Sequence, residues 1–407
     1  MIRIGKPIIK NNSTHTRLSV DVVKDETHHI LWVEVENRFS HGLCADRVDA
    51  FLVGLLGYAI KNKHDIYCEA PLTNLLKDQI DKDFIDVVCQ HQPELHRVKI
   101  SAPLLPPIFK NKIVRGMGLS CGVDCLYTVH NRMLDESLGE RYFLMTDAHL
   151  RSVKDTDVDA SRRFNPLFEN GKEFAQKMGI PLVVIKTNWG PSLFSDMAIT
   201  NSTTYCNCFV ALSLQNLFTH YYLASGGPIR DFSVRYLKNG LFRTDCSNYD
   251  LLSLPAYSTP SLRFVVDGLE ERVKKVRTLL EWSECWDNLD VCEMHRQKVR
   301  GNDTFDCHKC MHTVNEILSQ GGIEGLEKFS RVFDVDYVKK HRAEYLAYLI
   351  CQRIERSEIG MEAWKGRARE GCSLFDYLKA FWIIGRKAVQ KKFSKKNRTM
   401  PTKWIDI

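Results

Sequence analysis

The chain has 407 residues, of which 44% are hydrophobic and 26% charged, and its formal net charge is +7. This length predicts two or three domains, and the composition is ordinary for a folded globular protein, which argues against a disordered or fibrous chain. No apolar run approaches the roughly 20 residues that cross a bilayer, and the first residues lack the apolar core of a signal peptide. We therefore expect a cytoplasmic protein with no membrane partner.

Cysteine usage sets the expected redox chemistry. The chain contains 14 cysteines, spread along its length rather than paired at regular spacings. Without a secretion signal, this pattern favours free thiols and at most one metal site over a framework of disulfides.

Residues 1–110 are predicted to form a separate α/β accessory domain. Alternating apolar and polar residues over 17–23 and 30–35 predict two strands. Apolar residues at helical spacing over 46–63 predict a helix, and 65–69 predicts a further short strand. Three prolines before residue 110 then indicate a linker.

Residues 111–265 have the pattern of a nucleotide-binding α/β domain. Strands are predicted over 113–119, 141–146 and 181–186, with helical stretches between them. Such alternation predicts an α/β fold in which a parallel sheet has helices on both faces. Ligands bind beyond the carboxyl ends of the strands in sheets of this kind.

A candidate phosphate-binding turn follows the first of these strands. Backbone N–H groups in a tight turn and the positive end of a helix dipole together attract a phosphate. Cys121 adds a Cβ that such a turn accepts only with a negative φ or a reshaped backbone. An ordinary strand-to-helix turn with small residues is the alternative. The candidate residues are Ser120, Cys121, Gly122, Val123, Asp124 and Cys125.

Four more polar residues are candidate nucleotide contacts, and three of them, Asp147, Lys186 and Asn188, lie near predicted strand ends. Asp147 and Asn188 are candidates for contacts with the ribose or base of a nucleotide, or else they cap the ends of their strands. Lys186 and Arg230 are candidate phosphate clamps, or else ordinary surface charges.

Residues 266–320 contain a cluster of cysteines that predicts a zinc site. Cys307 and Cys310 form a Cys-x-x-Cys pair, and Cys285 and Cys292 would complete a set of four thiolates. Four soft ligands favour Zn²⁺ over harder cations. Free core cysteines with one accidental pair, and a redox pair, are the alternatives.

Residues 321–407 are predicted to be helical, over 337–356 and 374–389 in particular, and to end in a basic tail. Between Arg386 and Lys403 there are eight Lys or Arg residues and no Asp or Glu. The tail is either a solvated terminus or a contact for an acidic partner such as nucleic acid, although no RNA-binding aromatic signature accompanies it.

The turn and the cysteine cluster together resemble a known family. Ser120–Cys125 resembles the Ser-Gly-Gly-x-Asp-Ser loop of the PP-loop ATP pyrophosphatases, with cysteines in place of one glycine and the last serine. A cysteine cluster further along the chain is similar to the 7-cyano-7-deazaguanine synthase branch. Thr304 stands where that branch has a zinc-binding cysteine, and Cys292 is the candidate replacement. The N-terminal part makes the chain similar to larger synthase-like proteins of surface-polysaccharide clusters and antiphage defence.

The resemblance implies an ATP-dependent carbon–nitrogen ligase with ATP, Mg²⁺ and Zn²⁺ as cofactors. It would adenylate a small carboxylic acid of deazapurine type, release pyrophosphate and transfer the acyl group to ammonia or to an amine of a partner protein. Ser120 would hold pyrophosphate, and Asp124 would orient the loop or support Mg²⁺. One alternative is a degenerate protein that binds only a nucleotide or a partner. Another is sulfur transfer, with Cys125 as the catalytic thiol.

Overall fold

The computed structural model describes residues 1–148, 157–190, 202–234, 246–291, 308–355 and 357–394. The strands are β1 (Ile2–Ile4), β2 (Ile8–Asn11), β3 (His15–Lys24), β4 (Thr27–Glu36), β5 (Ile66–Cys68), β6 (Leu72–Thr73), β7 (Ile100–Ser101), β8 (Leu104–Leu105), β9 (Val114–Gly118), β10 (Glu140–Thr146), β11 (Leu182–Thr187), β12 (His220–Ala224) and β13 (Arg263–Asp267). The α-helices are α1 (Asp49–Asn62), α2 (Asn74–Gln79), α3 (Asp86–His91), α4 (Val123–Arg132), α5 (Asp157–Lys177), α6 (Thr203–Ser213), α7 (Asp250–Tyr257), α8 (Arg272–Glu281), α9 (His308–Glu327), α10 (Val335–Lys340), α11 (Arg342–Ile354), α12 (Glu358–Lys365) and α13 (Leu374–Ser394).

The chain divides into two compact units. Unit 1 consists of Met1–Leu119, Thr128–Phe168 and Ala175–Leu269. Unit 2 consists of Ser120–Tyr127, Glu169–Phe174 and Glu270–Ile407. The segment Ser120–Tyr127, which contains the candidate phosphate turn, therefore belongs to unit 2 although its flanking strand belongs to unit 1.

Unit 1 is built on a mixed, mostly parallel sheet of 11 strands. Along the sheet the order is β13-β12-β9-β10-β11-β4-β3-β1-β5-β7, and β2 pairs with β3. The strands from β13 to β11 are parallel to one another, whereas β11 pairs with β4 antiparallel. The predicted α/β class is confirmed, and so are the predicted strands over 17–23, 30–35, 113–119, 141–146 and 181–186.

Apolar patterning explains how unit 1 forms its core. Along β3 the side chains of Leu18, Val20 and Val22 are buried and alternate with partly exposed neighbours, as expected for a strand with one face in the core. In α1, by contrast, all residues from 49 to 60 are buried, so this helix is enclosed by the unit. Gly57 allows its close approach to α6, because a Cβ there would lie 2.6 Å from the Tyr205 ring.

The described residues of unit 2 from 270 onward are mainly helical, as predicted for the C-terminal region. α11 and α13 pack together through Leu346, Ala347, Ile350 and Ala380. The described helices include none that is long and apolar enough to cross a membrane.

The sheet is continuous across the predicted domain boundary near residue 110. β4 belongs to the predicted accessory domain and β11 to the predicted nucleotide-binding domain, yet they are adjacent strands. The boundaries 1–110, 111–265, 266–320 and 321–407 stay predictions, since a shared sheet does not decide which parts fold on their own.

Candidate functional site

The strand order of unit 1 reverses at β9. From β9 the chain adds β10 and β11 on one side, and it then adds β12 and β13 on the other. Because these strands are parallel, their carboxyl ends share one edge of the sheet. Ligands of open α/β sheets bind beyond that edge, at the strand where the order reverses. The connection that follows β9 in the chain is the turn that begins at Ser120.

The turn has an unusual backbone at Cys121. Its φ is +56°, in the left-handed region, and its side chain is 1% exposed. Gly122, which could adopt this conformation without strain, has a φ outside the left-handed region. Of the two possibilities for Cys121, a negative φ or a reshaped turn, the negative φ is therefore not the one observed. A left-handed L-residue costs about 1–2 kcal/mol, so the turn is locally strained.

Two backbone donors of the turn are directed at groups within it. The Ser120 N–H donates to the Cys125 sulfur at 3.3 Å, and the Gly122 N–H donates to the Ser120 hydroxyl oxygen at 3.4 Å. Both acceptors are neutral: one is a weakly accepting sulfur, and the other is a hydroxyl oxygen at a distance that is long for an N–H···O bond. A phosphate oxygen is a stronger acceptor and could take over these donors at little cost.

Cys125 is a buried thiol rather than an activated nucleophile. Burial raises its pKa, although hydrogen bonds from the turn backbone oppose this effect. Its side chain is 5% exposed. A thiol acts as a nucleophile through its thiolate, so this environment disfavours the sulfur-transfer alternative.

Two cations hold the carboxylate of Asp124. The Arg272 Nη1 lies 2.8 Å from one carboxylate oxygen, and the Lys275 Nζ lies 2.8 Å from the other. The Lys275 side chain is fully buried, and Asp124 is in the first turn of α4. Two charge-assisted bonds from α8 therefore fix the beginning of α4.

Arg272 also contacts two residues of α9. The Arg272 Nε lies 3.1 Å from the buried Glu316 carboxylate, and its Nη2 donates to the Thr313 hydroxyl at 3.2 Å. His312 Nε2 lies 3.5 Å from Glu316, and burial lowers the pKa of this imidazole well below its ordinary value. Asp124, Arg272, Lys275 and Glu316 carry two positive and two negative charges, so the cluster is balanced.

Sequence reasoning missed Arg272, Lys275 and Glu316. One signal was available, because Arg272 and Lys275 occupy the helical stripe that also contains the buried Val276 and Leu279. Charges on the core-facing stripe of a helix must be paired when buried. Their partners could not be found from the sequence, since Asp124 is about 150 positions away in the chain.

The other predicted nucleotide contacts lie in unit 1 and make structural hydrogen bonds. The buried Asp147 carboxylate accepts from the Thr187 N–H at 3.0 Å. The Asn188 amide accepts from the Trp32 N–H at 3.0 Å and donates to the Ile30 carbonyl at 2.7 Å, which links β11 to β4. These bonds fit the strand-cap interpretation of both residues. Lys186 and Arg230 are exposed.

Only two of the four predicted zinc ligands lie among the described residues. Cys285 and Cys310 are buried, whereas Cys292, Thr304 and Cys307 lie outside the described residues. The Cys285 thiol lies 3.1 Å from the Trp282 carbonyl oxygen. Among the described residues, no group of three or more His, Cys, Asp or Glu side chains could hold a metal ion. Zinc binding by the four cysteines stays a prediction.

The chain matches no protein-family model, no curated protein and no solved structure. The resemblance to the PP-loop superfamily therefore depends on the turn and the cysteine cluster, together with the chemistry that these residues can support.

Proposed function

We propose that the chain is an ATP-dependent ligase that holds the phosphates of ATP on the turn of residues 120–125. The observation that carries this proposal is the place of the turn in the topology: it follows β9, the strand where the order reverses, and it opens α4. Nucleotide phosphates bind at such connections because backbone N–H groups and a helix N-terminus converge there.

Phosphate recognition would use the backbone of the turn and the exposed hydroxyl of Ser120. The N–H groups of Ser120 and Gly122 now donate to weak neutral acceptors, and a charged phosphate would replace them. A glycine at 122 lets the phosphate approach the backbone closely. This arrangement binds the pyrophosphate part of ATP in the proposed reaction.

Asp124 is a positioning residue in this proposal. Both of its carboxylate oxygens are occupied by cationic side chains, so it does not fit the role of a Mg²⁺ ligand. Its charge instead connects the first turn of α4 to α8, which keeps the N-terminus of α4 in a fixed orientation. Lys275 and Arg272 support the phosphate turn through this carboxylate.

The proposed chemistry is adenylation followed by transfer. A carboxylate oxygen of a deazapurine-type acid attacks the α-phosphorus of ATP, the bond to the bridging oxygen breaks, and pyrophosphate leaves. A nitrogen nucleophile, ammonia or an amine of a protein, then attacks the acyl carbon, loses a proton and displaces AMP. The turn contributes by aligning the leaving pyrophosphate and stabilising its charge.

A second candidate is a protein that binds the nucleotide without turning it over. The observation that favours it is the cysteine pair in the turn: Cys121 is strained and buried, and the Cys125 sulfur takes an N–H that the phosphate would need. Binding is common to both candidates, and only catalysis separates them.

Gly122→Ala tests the phosphate site. A Cβ at residue 122 would be 3.6 Å from its nearest neighbours, and the φ suits an L-residue, so the variant should fold with unchanged stability. The same Cβ would intrude on a bound phosphate. We expect ATP affinity, measured by calorimetry, to fall at least about 10-fold, whereas Gly385→Ala, whose Cβ meets open space, leaves it unchanged. Equal affinities for the two variants would place ATP elsewhere.

Exchange of labelled pyrophosphate into ATP separates the two candidates. A ligase exchanges the label only when a suitable acid such as 7-carboxy-7-deazaguanine is present. A protein that binds ATP but shows no exchange with any deazapurine acid would instead support the non-catalytic candidate. The double variant Cys121→Gly with Cys125→Ser restores the residues of the PP-loop pattern. Loss of exchange in this variant would show that the cysteines serve the reaction. A gain of ATP affinity would instead show that the cysteines weaken nucleotide binding, as expected for a degenerate protein.

A further inference from the structure

α13 exposes an apolar face that no described residue covers. Its first three turns present large side chains at relative positions 0, 1, 4, 7 and 8, which share one side of a helix. Each of these side chains is between 59% and 78% exposed. We call them the α13 face: Leu374, Phe375, Leu378, Phe381 and Trp382.

The opposite side of the same turns is also apolar. Ala380 is fully buried against α11, and Tyr377, Ile383 and Ile384 pack around it. Asp376 and Lys379 are the polar residues of these turns, and Lys379 pairs with Glu344 of α11. A helix with two apolar faces belongs between two packing partners. Described residues cover one face of α13 and leave the α13 face uncovered.

We propose that the α13 face is the centre of a twofold interface between two copies of this chain. Aromatic side chains cover roughly 150–250 Å² each when buried, so three aromatics and two leucines at these exposures offer about 600 Å² per copy. Two copies together would bury about 1,200 Å², which is the lower end of the range for specific interfaces. An area of about 600 Å² is at the upper end of the range for the largest apolar patch of a monomer, and such patches are often functional.

Charge determines the direction of the pairing. Eight Lys or Arg residues and no acidic residue lie between Arg386 and Lys403, after the apolar turns. Four of these residues lie within α13, which ends at Ser394. Parallel helices would place these charges of the two copies side by side, where they repel. Antiparallel helices separate them, and the twofold axis then passes Leu378, the middle residue of the α13 face.

The first experiment measures the mass of the full chain in solution by analytical ultracentrifugation. We expect a dimer at about 20 µM and a monomer for Leu378→Glu with Phe381→Glu, with the dimerisation constant weakened at least about 30-fold. Both side chains are exposed, so the variant should keep the circular dichroism spectrum of the folded chain. Phe109→Glu changes a phenylalanine of unit 1 that is even more exposed than Phe381, and this variant should remain dimeric.

The second experiment tests the antiparallel geometry by disulfide formation on mild oxidation. Cysteines at residue 378 of two copies would meet near the axis, whereas residue 374 lies four positions, about 6 Å, away from it in each copy. Leu378→Cys should therefore form a covalent dimer above the wild-type background, and Leu374→Cys should not.

Three results would overturn the proposal. They are a monomeric wild type at 50 µM, a dimer that survives the double glutamate substitution, and efficient cross-linking at both positions. A monomer that binds vesicles containing anionic lipid, and loses this binding in the double glutamate variant, would show that the α13 face docks on a membrane surface instead.

Discussion

Two aspartates, one in each unit, show two ways to hold a carboxylate: Asp49 is fully buried, and Asp124 is partly buried, with 24% of its side chain exposed. Asp49 in unit 1 is fully buried and accepts hydrogen bonds from the Thr73 N–H and hydroxyl at 2.8 and 2.6 Å. Asp124 in unit 2 is held by the charged groups of Arg272 and Lys275. Neutral donors surround the first carboxylate most closely, and full positive charges surround the second.

The difference has consequences for the charge state of each group. Burial raises the pKa of Asp49 because its close donors are dipoles, which compensate desolvation only in part. Asp124 is instead one member of a balanced set of four charges, and removing any member leaves another buried charge uncompensated. The position of α4, and of the turn before it, therefore depends on α8 in a way that can be tested.

Arg272→Met should have the largest effect on stability. It leaves the Glu316 and Asp124 carboxylates without their shared cation, which should cost about 3–5 kcal/mol of unfolding free energy. Urea unfolding monitored by circular dichroism measures this loss. Arg277→Met on the same helix is the control, because Arg277 is exposed and bonds only to Gln320 among the described residues, and it should stay within about 0.5 kcal/mol of the wild type.

Asp124→Asn and Asp49→Asn compare the two aspartates directly. We expect the first to cost about 2–3 kcal/mol at neutral pH, because Lys275 and Arg272 lose a countercharge. The second should cost less than about 1 kcal/mol, since an amide can still bond to Thr73. Equal losses would remove the distinction between the two sites.

The raised pKa of Asp49 should make the stability of the protein depend on pH. The pKa of Asp49 is higher in the folded chain than in the unfolded chain, so the unfolded chain loses this proton at a lower pH. The free energy of unfolding should therefore fall as the pH rises from about 4 through the folded pKa. Unfolding measured from pH 4 to pH 7 should show the fall for the wild type and a smaller fall for Asp49→Asn. A steeper fall in the variant would contradict the assignment.

Cys121→Gly and Cys121→Ala separate backbone strain from packing. Both remove the buried thiol, but only glycine relieves the left-handed φ of +56°. The glycine variant should therefore be more stable than the alanine variant by about 1 kcal/mol. The difference between their urea midpoints measures this strain, and an alanine variant of equal or greater stability would show that the turn is not strained there.

The smallest expected effect is on the reactivity of the Cys125 thiol, which tests the sulfur-transfer alternative. Because burial raises the pKa of Cys125 above its ordinary value, alkylation of the native protein should be slow at pH 7 and should continue to accelerate beyond pH 9. Comparison of the wild type with Cys125→Ser by mass spectrometry assigns the modified site. An alkylation rate at Cys125 that reaches its plateau near neutral pH would indicate a reactive thiolate and would support the sulfur-transfer alternative.

Local patterns predicted the parts of the fold whose signal is local. Alternation over 17–23 and helical spacing over 46–63 correspond to β3 and α1, because one-sided burial leaves a period in the sequence. The joining of β4 to β11 left no such signal. Pairing between strands about 150 positions apart depends on the arrangement of whole units, which periodicity does not contain.

The candidate site likewise has features that the sequence predicts and features that it does not. The turn at Ser120–Cys125 could be located from its residues and its strand–helix context. Its left-handed cysteine could not, since a glycine stands next to it and would be the expected choice for that conformation. The cations on α8 could be recognised only as unusual charges on a core-facing stripe.

A structure determined with bound ATP tests the central claim most directly. We predict that the phosphates contact the N–H groups of Ser120 and Gly122, that the Ser120 N–H leaves the Cys125 sulfur, and that Asp124 keeps both of its cations. ATP bound away from residues 120–125, or phosphates that contact the turn only after Arg272 and Lys275 have left Asp124, would contradict the account.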